Sequence, residues 1–203
     1  FLNKYTLYTF SERVYKQLAP GLFLGAGAYF ELKRNIETVG SDIETPNTIY
    51  SKWNGFNSNR NNNNGLMFNL QYMNRDNPNS AYNGIYSDVV LRSNQTWLGS
   101  SQNAIQLLTD FRKYFQLSKE RPNHVLAFWY YGSYNLNGQL PYLDLPGTGK
   151  DAFSRSGRGY TNGYFKGNSY AYGEVEYRFP ILRNQFLSGV AFANVQTVDD
   201  QVG

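Results

Sequence analysis

Few residues in this sequence have side chains suited to catalysis, and their spacing limits what they can do. The chain has one histidine, His124, and no cysteine. A nucleophilic serine needs a base within hydrogen-bond reach and a third group that orients the base. His124 with Ser118 or Ser133 is therefore the candidate for a hydrolase, but nothing marks a third partner. We interpret His124 as a solvated turn residue and predict no catalytic residue and no enzymatic activity.

Two other motifs are similar to sites of known chemistry but lack an essential part. GTGK at Gly147–Lys150 looks like a phosphate loop, yet no serine or threonine follows Lys150 and no helix pattern begins there. The pair Glu174 and Glu176 is suited to acid–base work, but Arg178 follows two residues later. We interpret these carboxylates as members of a structural salt-bridge cluster, and we predict neither a cofactor nor a metal site.

The composition favours a membrane-embedded chain that has no membrane-spanning helix. Of 203 residues, 19 are Lys or Arg and 15 are Asp or Glu, and this weak positive balance does not indicate nucleic acid as a partner. Tyrosine alone occurs 18 times, as is typical of a surface that meets two membrane interfaces. Because no run of about 18 apolar residues occurs, a closed β-barrel is the remaining way to satisfy backbone polar groups in lipid.

Alternation of apolar with polar or small residues is typical of barrel strands, and here it predicts about eight strands. The predicted strands are Phe1–Val14, Gly21–Lys33, Gly65–Arg75, Ile85–Trp97, Ile105–Leu117, Val125–Leu136, Tyr170–Phe179 and Leu187–Gln196. One face of these strands is predicted to meet lipid. Its side chains are Leu22, Leu24, Leu66, Phe68, Leu70, Val89, Leu91, Phe111, Phe115, Val175 and Tyr177.

The connections between the strands differ in length at the two ends of the predicted sheet. Compact turns at one end lie near Lys16–Pro20, Asn77–Asn83, Lys119–Asn123 and Pro180–Asn184. The other end carries Asn35–Asn64, Gly99–Gln102 and Asn137–Asn168, and the Asn57–Asn64 tract is predicted to be a solvated loop tip. Bacterial outer-membrane barrels have short periplasmic turns and longer outer loops. The sequence therefore predicts an all-β, antiparallel transmembrane β-barrel.

The two ends of the chain favour a segment of a larger barrel. The sequence starts within a predicted strand, and it ends at Val202–Gly203 after an ascending strand without a terminal aromatic residue. The predicted lumen also contains many glycines and charged residues, which suit a wide, occupied interior. The alternative is a natural eight-stranded barrel whose interior is filled by side chains.

Three motifs carry a resemblance to a known family. Arg158-Gly159-Tyr160 lies in a long predicted loop, YGEVEYRFPI follows at Tyr172–Ile181, and MNRDNP occupies Met73–Pro78. Together they resemble the BamA/TamA family of bacterial outer-membrane proteins, also called bacterial surface antigens, from about Met67 to Gln196. The resemblance implies a sixteen-stranded barrel, of which residues 1–203 supply strands six to thirteen, with a loop at 137–168 that folds into the lumen.

The resemblance also implies roles for individual residues. Arg158 is then the motif arginine, and Glu176, with Glu174, is its partner, since an unpaired buried charge is expensive. Gly159 is expected to allow close backbone approach, and Tyr160 is expected to pack against the barrel wall. A second acidic position of the family falls on Asn194, where this sequence departs from the pattern.

Two functions are compatible with these features. The resemblance implies insertion or assembly of outer-membrane proteins, or translocation across the outer membrane of a bacterial cell. The implied partners are outer-membrane lipid, a nascent outer-membrane or secreted polypeptide, and periplasmic domains or assembly subunits. The alternative is a passive pore or structural barrel that uses lumen charges to tune permeation. Those charges are Asp88, Arg92, Arg112, Glu174 and Arg178.

Overall fold

Eight antiparallel strands form one sheet, in which each strand pairs with its neighbours in sequence order. The computed structural model describes residues 2–39, 44–121, 123–182 and 186–199. The strands are β1 Leu2–Ala19, β2 Leu22–Val39, β3 Asn61–Met73, β4 Gly84–Asn94, β5 Ala104–Gln116, β6 Val125–Gly138, β7 Ser169–Pro180 and β8 Ser188–Asp199. Within these ranges β1 and β8 do not pair, so the sheet is not closed. The predicted all-β antiparallel fold is confirmed, in the form expected for part of a barrel.

The two faces of the sheet differ because successive side chains of a strand point to opposite faces. The open face carries the apolar residues that were predicted to meet lipid. Those that are exposed are Leu24, Phe68, Leu70, Val89, Leu91, Phe111, Phe115, Val175 and Tyr177, whereas Leu22 and Leu66 are half-buried. The opposite face, here the loop face, carries Lys33, Tyr131, Glu174 and Glu176, all of which are buried. Residues 139–168 lie against this loop face.

Leu70 on the open face provides a test of lipid contact. It pairs with Leu24 on β2 and Val89 on β4, and all three side chains are exposed. Leu70→Arg is expected to destabilise the full-length protein in lipid vesicles by ~2–4 kcal/mol if Leu70 lies near mid-depth, and by less toward an interface. Urea unfolding measures this. Gln71→Arg is the control, because Gln71 pairs with Asp88 on the loop face and is expected to tolerate a cation. Equal losses in the two variants would contradict this assignment of the faces.

The first two strands extend further than the alternation predicted. β1 ends at Ala19 instead of Val14, and β2 ends at Val39 instead of Lys33. Their ladder continues to the Ala19↔Leu22 pair, so the predicted turn near Lys16–Pro20 contracts to Pro20 and Gly21. Gly21 has a positive φ of 76°, which favours glycine. Phe1, residues 40–43, Pro122, residues 183–185 and the predicted end at Val202–Gly203 lie outside the described residues.

The prediction of a solvated loop tip at Asn57–Asn64 is wrong for its second half, whereas Asn57, Asn59 and Arg60 are exposed in the connection before β3. Asn61, Asn63 and Asn64 are buried in the first part of β3. Two of these side chains find partners: Asn94 Nδ2 donates to Asn63 Oδ1 at 2.6 Å, and Asn64 Nδ2 donates to the carbonyl oxygen of Leu98 at 3.0 Å. Asn61 Oδ1 is buried without a hydrogen-bond partner among the described residues. Burial of a polar side chain is tolerated when its hydrogen bonds are satisfied. A prediction based on hydropathy does not detect such hydrogen bonds and therefore places asparagines in solvent.

An α-helix, α1, spans Pro46–Asn54 in the connection between β2 and β3. Thr45 caps its N-terminus, proline occupies its first turn, and Gly55 with φ 72° ends it. These are local helix signals, yet the strand pattern around them obscured a helix this short. A 3₁₀ turn over Thr96–Leu98 likewise replaces the predicted end of the fourth strand. In the ranges that the structure describes, no helix is both long and apolar enough to cross a membrane.

Candidate functional site

The connection between β6 and β7, residues 139–168, folds back on itself. The N–H of Thr148 donates to the carbonyl oxygen of Phe165 at 3.0 Å, and the N–H of Gly163 donates to that of Thr148 at 2.7 Å. The Thr148 hydroxyl also donates to the carbonyl oxygen of Thr161 at 3.1 Å. Thr148 is fully buried. Satisfied backbone groups give this long loop a fixed shape of its own.

An apolar cluster anchors the start of this loop to the sheet and to α1. Leu140, Tyr142, Leu143 and Leu145 pack with Ile36 and Ala104. Tyr50 of α1 packs against the same cluster, and its hydroxyl donates to the carbonyl oxygen of Leu140 at 3.1 Å. Tyr131 on β6 adds a further anchor, since its hydroxyl donates to the carbonyl oxygen of Lys150 at 3.1 Å. The loop is thus held over the loop face by apolar and polar contacts.

Asp151 organises the turn that leads to the loop tip. Its carboxylate accepts hydrogen bonds from the backbone N–H groups of Ser156 at 2.7 Å, Arg155 at 2.9 Å and Phe153 at 3.2 Å. Burial acts to raise the pKa of Asp151, but the hydrogen bonds from Ser156, Arg155 and Phe153 outweigh it and hold this pKa below its ordinary value. The ionised carboxylate therefore stabilises the turn.

Removal of the Asp151 carboxylate is expected to loosen this turn. Asp151→Ala leaves three donors without their acceptor and should destabilise the full-length protein by ~1–3 kcal/mol, with Asp151→Asn intermediate because it keeps one acceptor oxygen. A lowered folded-state pKa gives stability that is present above the unfolded pKa and lost as pH falls. The thermal unfolding midpoints of wild type and Asp151→Asn should therefore converge below about pH 4. A difference between the two unfolding midpoints that stays constant from pH 7 to pH 3 would contradict this role of the Asp151 carboxylate.

The loop tip is a tight turn over Gly157–Tyr160. The N–H of Tyr160 donates to the carbonyl oxygen of Gly157 at 3.0 Å, and Gly159 has a φ of 94°. Nothing lies within 4 Å of a Cβ placed on Gly159, so its positive φ, and not close approach, favours glycine there. Close approach occurs at Gly157, where a Cβ would meet Thr148 at 2.9 Å and Gln196 of β8 at 3.0 Å.

Tyr160 was expected to pack against the barrel wall, but its described ring contacts are within the loop. Its ring centroid lies 5.7 Å from that of Tyr164 and 5.1 Å from that of Phe165. The side chain is 52% exposed. In this arrangement Tyr160 stabilises the loop tip, and the loop tip meets the sheet through the neighbouring Arg158.

Arg158 joins the loop tip to two carboxylates of β7. Its Nε lies 3.0 Å from Glu174 Oε2, and its Nη2 lies 2.9 Å from Glu176 Oε2. The two glutamates are two positions apart on one strand and therefore share the loop face. A planar guanidinium has donors in a fixed fork, which suits contact with two acceptors at once. The structure thus brings Arg158, Glu174 and Glu176 together.

Neighbouring side chains complete the charge balance around Arg158. Glu176 Oε1 also accepts from Arg178 Nε at 2.6 Å, and Glu174 Oε2 accepts from the Tyr172 hydroxyl at 2.6 Å. Two arginines and two glutamates are thus matched in charge on the loop face. Such matching is what partly buried charges require.

On β8 the contact with Arg158 comes from an aromatic residue. The guanidinium carbon of Arg158 lies 4.5 Å from the ring centroid of Phe192, which pairs with Glu176 across the strands. Asn194 pairs with Glu174 and is exposed. The described contacts of Arg158 thus involve Glu174, Glu176 and Phe192 instead of Asn194. A cation over an aromatic face gains electrostatic attraction without a second carboxylate.

A second ionic contact between loop and sheet escaped the sequence analysis. The ammonium of Lys33 on β2 contacts the carboxylates of Asp144 in the loop and Glu31 on its own strand. The Lys33 side chain is 4% exposed and that of Asp144 is 10% exposed. The alternation of β2 placed Lys33 on the polar face, but no sequence signal linked it to a loop residue 111 positions away.

The candidate catalytic residues form hydrogen bonds with other groups, and Ser118 Oγ accepts from the N–H of Arg121 at 3.3 Å. His124 Nε2 lies 2.6 Å from the Tyr177 hydroxyl, and the Ser133 hydroxyl accepts from Gln106 Nε2 at 3.3 Å. Lys150 of the GTGK motif donates to the carbonyl oxygen of Leu143 at 2.7 Å. Among the residues that the structure describes, no group of three or more His, Cys, Asp or Glu side chains is placed to hold a metal ion.

Comparisons with known proteins agree with this architecture. A sequence profile of the Omp85 superfamily domain matches residues 8–202. A search of curated proteins found no match to the chain. Among solved structures, the chain is similar to the crystal structure of BamA from Haemophilus ducreyi lacking POTRA domains 1-3, with a TM-score of 0.74 and 17% sequence identity. The likeness, which at this identity concerns the fold, covers 98% of this chain and 42% of that chain, so this chain spans less than half of its length.

Proposed function

The chain belongs to the Omp85 superfamily and is part of a bacterial outer-membrane barrel of the BamA/TamA type. From this premise we propose that the protein serves either the insertion or assembly of outer-membrane proteins, or translocation across the outer membrane. Its eight strands are assigned to strands six to thirteen of a sixteen-stranded barrel. The proposed partners are the surrounding lipid and a nascent outer-membrane or secreted polypeptide, with periplasmic domains or assembly subunits.

One observation carries the proposal, namely the contact of Arg158 with Glu174 and Glu176 at 3.0 and 2.9 Å. This contact ties residues 139–168 to the loop face, so the loop occupies space that an open channel would leave to water. A general pore has no need of such a loop, whereas an insertion or translocation barrel keeps its lumen closed at rest. We assign Arg158, Gly159 and Tyr160 to the loop tip, and Glu174 and Glu176 to its partners on the wall.

The test is a folding assay in lipid vesicles. The full-length protein is reconstituted, an unfolded outer-membrane β-barrel protein is added, and the appearance of its heat-resistant form is followed on a semi-native gel. The proposal predicts faster folding than in protein-free vesicles, and slower folding when the vesicles carry Arg158→Ala. Translocation is tested in parallel by protease protection of a secreted polypeptide. Rates equal to those of empty vesicles in both assays would overturn the proposal.

A passive pore is the second candidate, and a cavity on the loop face favours it. This cavity has a volume of about 440 Å³ and lies between the sheet and the loop. Its charged lining includes Asp88, Asp110, Arg92 and Arg112. Recordings across a planar bilayer separate the two functions. A large steady conductance would favour the pore, whereas a small or fluctuating conductance would favour a barrel closed by its loop.

A further inference from the structure

Two lysines of the loop converge on a cavity bounded by the loop, β1 and the first turn of α1. The cavity has a volume of about 500 Å³, and its lining includes Tyr5, Asn47, Tyr142, Lys150, Thr161 and Lys166. Gly163 separates the two lysines. A Cβ placed on Gly163 would lie 3.2 Å from Lys166 Nζ and 4.0 Å from Lys150 Cε. Both ammonium stems therefore reach one small region of the cavity wall.

Lys166 is buried, and no hydrogen-bond acceptor for its ammonium is found among the described residues. The residue is 8% exposed. Within the described part of the chain, the contact found for its ammonium is the ring of Tyr142, whose centroid lies 4.2 Å from Nζ. A cation over an aromatic face is attracted to it, but an ammonium has three N–H donors to satisfy. Lys166 Nζ is not among the fully buried side-chain atoms that lack a partner, and Lys166 lines the cavity, so an acceptor that enters the cavity can reach its ammonium.

The charges around the cavity leave a positive excess. Lys33, Lys150 and Lys166 face the carboxylates of Glu31 and Asp144, both of which contact Lys33. Burial, together with the nearby Lys150, lowers the pKa of Lys166 to about 8, and Asp144 opposes this change. Burial also lowers the pKa of Lys150. An anion in the cavity would relieve the repulsion between the two loop lysines.

The helix α1 begins at the same cavity. Thr45, Pro46 and Asn47 line it, and they form the cap and first turn of the helix. The N-terminus of a helix carries partial positive charge and favours anions. This contribution adds to that of Lys166, which also lines the cavity.

We propose that this cavity binds a phosphate group, with Lys166 as its main ligand and Lys150 as the second cation. A phosphate presents several acceptor oxygens, and these match two ammonium groups and a helix N-terminus better than a single carbonyl would. The volume of about 500 Å³ lies in the range of small-molecule sites and leaves room for the molecule that carries the phosphate. That molecule is either a soluble phosphate compound or a phosphorylated lipid headgroup.

The experiment measures binding of inorganic phosphate to the full-length protein by titration calorimetry at pH 7. Wild type is expected to bind saturably, and Lys166→Met to bind about tenfold more weakly, as expected for one charge-assisted hydrogen bond. Lys52→Met is the control, because Lys52 lies on α1, whose N-terminus lines the cavity, and its side chain is 74% exposed. The phosphate affinity of Lys52→Met should equal that of wild type. The heat-resistant gel form verifies that each variant is folded.

A pH series on wild type keeps the proposal testable if Lys166→Met fails to fold. The titratable groups facing Lys166 are Lys150, Asp144, Tyr142, Tyr5 and Tyr164. Phosphate does not lose negative charge as pH rises, so weaker binding at pH 9.5 than at pH 7 reports loss of the lysine proton. Micelles that contain a phosphorylated glycolipid identify the source: competition with phosphate indicates the lipid headgroup, and its absence indicates a soluble ligand. No saturable binding to wild type, or equal affinity in Lys166→Met, would overturn the proposal.

Discussion

Lys33→Met is expected to destabilise the full-length protein by ~3–5 kcal/mol, the cost of removing one partner from a buried ion pair. Lys33 is 3% exposed and contacts both Asp144 and Glu31. Without its ammonium, Asp144 keeps a buried negative charge whose Oδ2 already has no hydrogen-bond partner among the described residues. Urea unfolding in lipid vesicles, followed by tryptophan fluorescence, measures the free energy of unfolding.

Two further variants distinguish this mechanism from a general effect of losing a lysine. Lys52→Met removes an exposed ammonium that lies 3.8 Å from Glu44, and surface pairs contribute ~0–1 kcal/mol. The double variant Lys33→Met/Asp144→Leu should recover part of the loss, because apolar replacement of a whole buried pair is often neutral. A Lys33→Met protein as stable as Lys52→Met would contradict a stabilising role for the contact between Lys33 and Asp144.

Arg158→Ala is expected to cost ~2–3 kcal/mol, less than the ~3–5 kcal/mol of a fully buried pair, because solvent screens it in part. The Arg158 side chain is 35% exposed, whereas those of Glu174 and Glu176 are 4% and 11% exposed. The variant leaves Glu174 without its cation and frees the loop tip. Its heat-resistant form on a semi-native gel should therefore disappear at a lower temperature.

The chemistry of the guanidinium supplies the controls for this prediction. Arg158→Lys should rescue stability only in part, since lysine lacks the planar fork that reaches Glu174 and Glu176 together. Arg155→Ala is the matched loop variant, because Arg155 is exposed and its guanidinium lies over the ring of Phe153 at 5.5 Å. Equal gel profiles for wild type, Arg158→Ala and Arg155→Ala would exclude a stabilising role for Arg158.

The strands could be predicted because their signal is local. A period of two and turns rich in proline, asparagine or glycine located all eight strands and the face that carries Leu24 and Leu70. The same rule misplaced the ends of β1 and β2, since a ladder continues wherever the partner strand offers backbone groups, whatever the side chains are. It also missed α1, whose nine residues carry their signal in Thr45, Pro46 and Gly55 rather than in a long periodicity.

The contacts of the loop depend on information that strand patterns do not contain. The pairing of Arg158 with Glu176 and Glu174 was expected from the family-like motif, and the structure adds Phe192 to its surroundings. Lys33 and Asp144 meet only because the loop crosses the sheet from β6 to β2, a path that no local propensity specifies. In the sequence, neither Lys33 nor Asp144 differs from an ordinary charged residue on a polar surface.

A double-mutant cycle between Arg158 and Glu176 tests most directly whether the loop is fastened to the barrel wall. The free energy of unfolding of the full-length protein in lipid vesicles is measured for wild type, Arg158→Ala, Glu176→Gln and the double variant. Direct contact at 2.9 Å predicts a coupling of ~1–3 kcal/mol. Additive losses, with a coupling near zero, would contradict the account by showing that Arg158 and Glu176 do not hold the loop together.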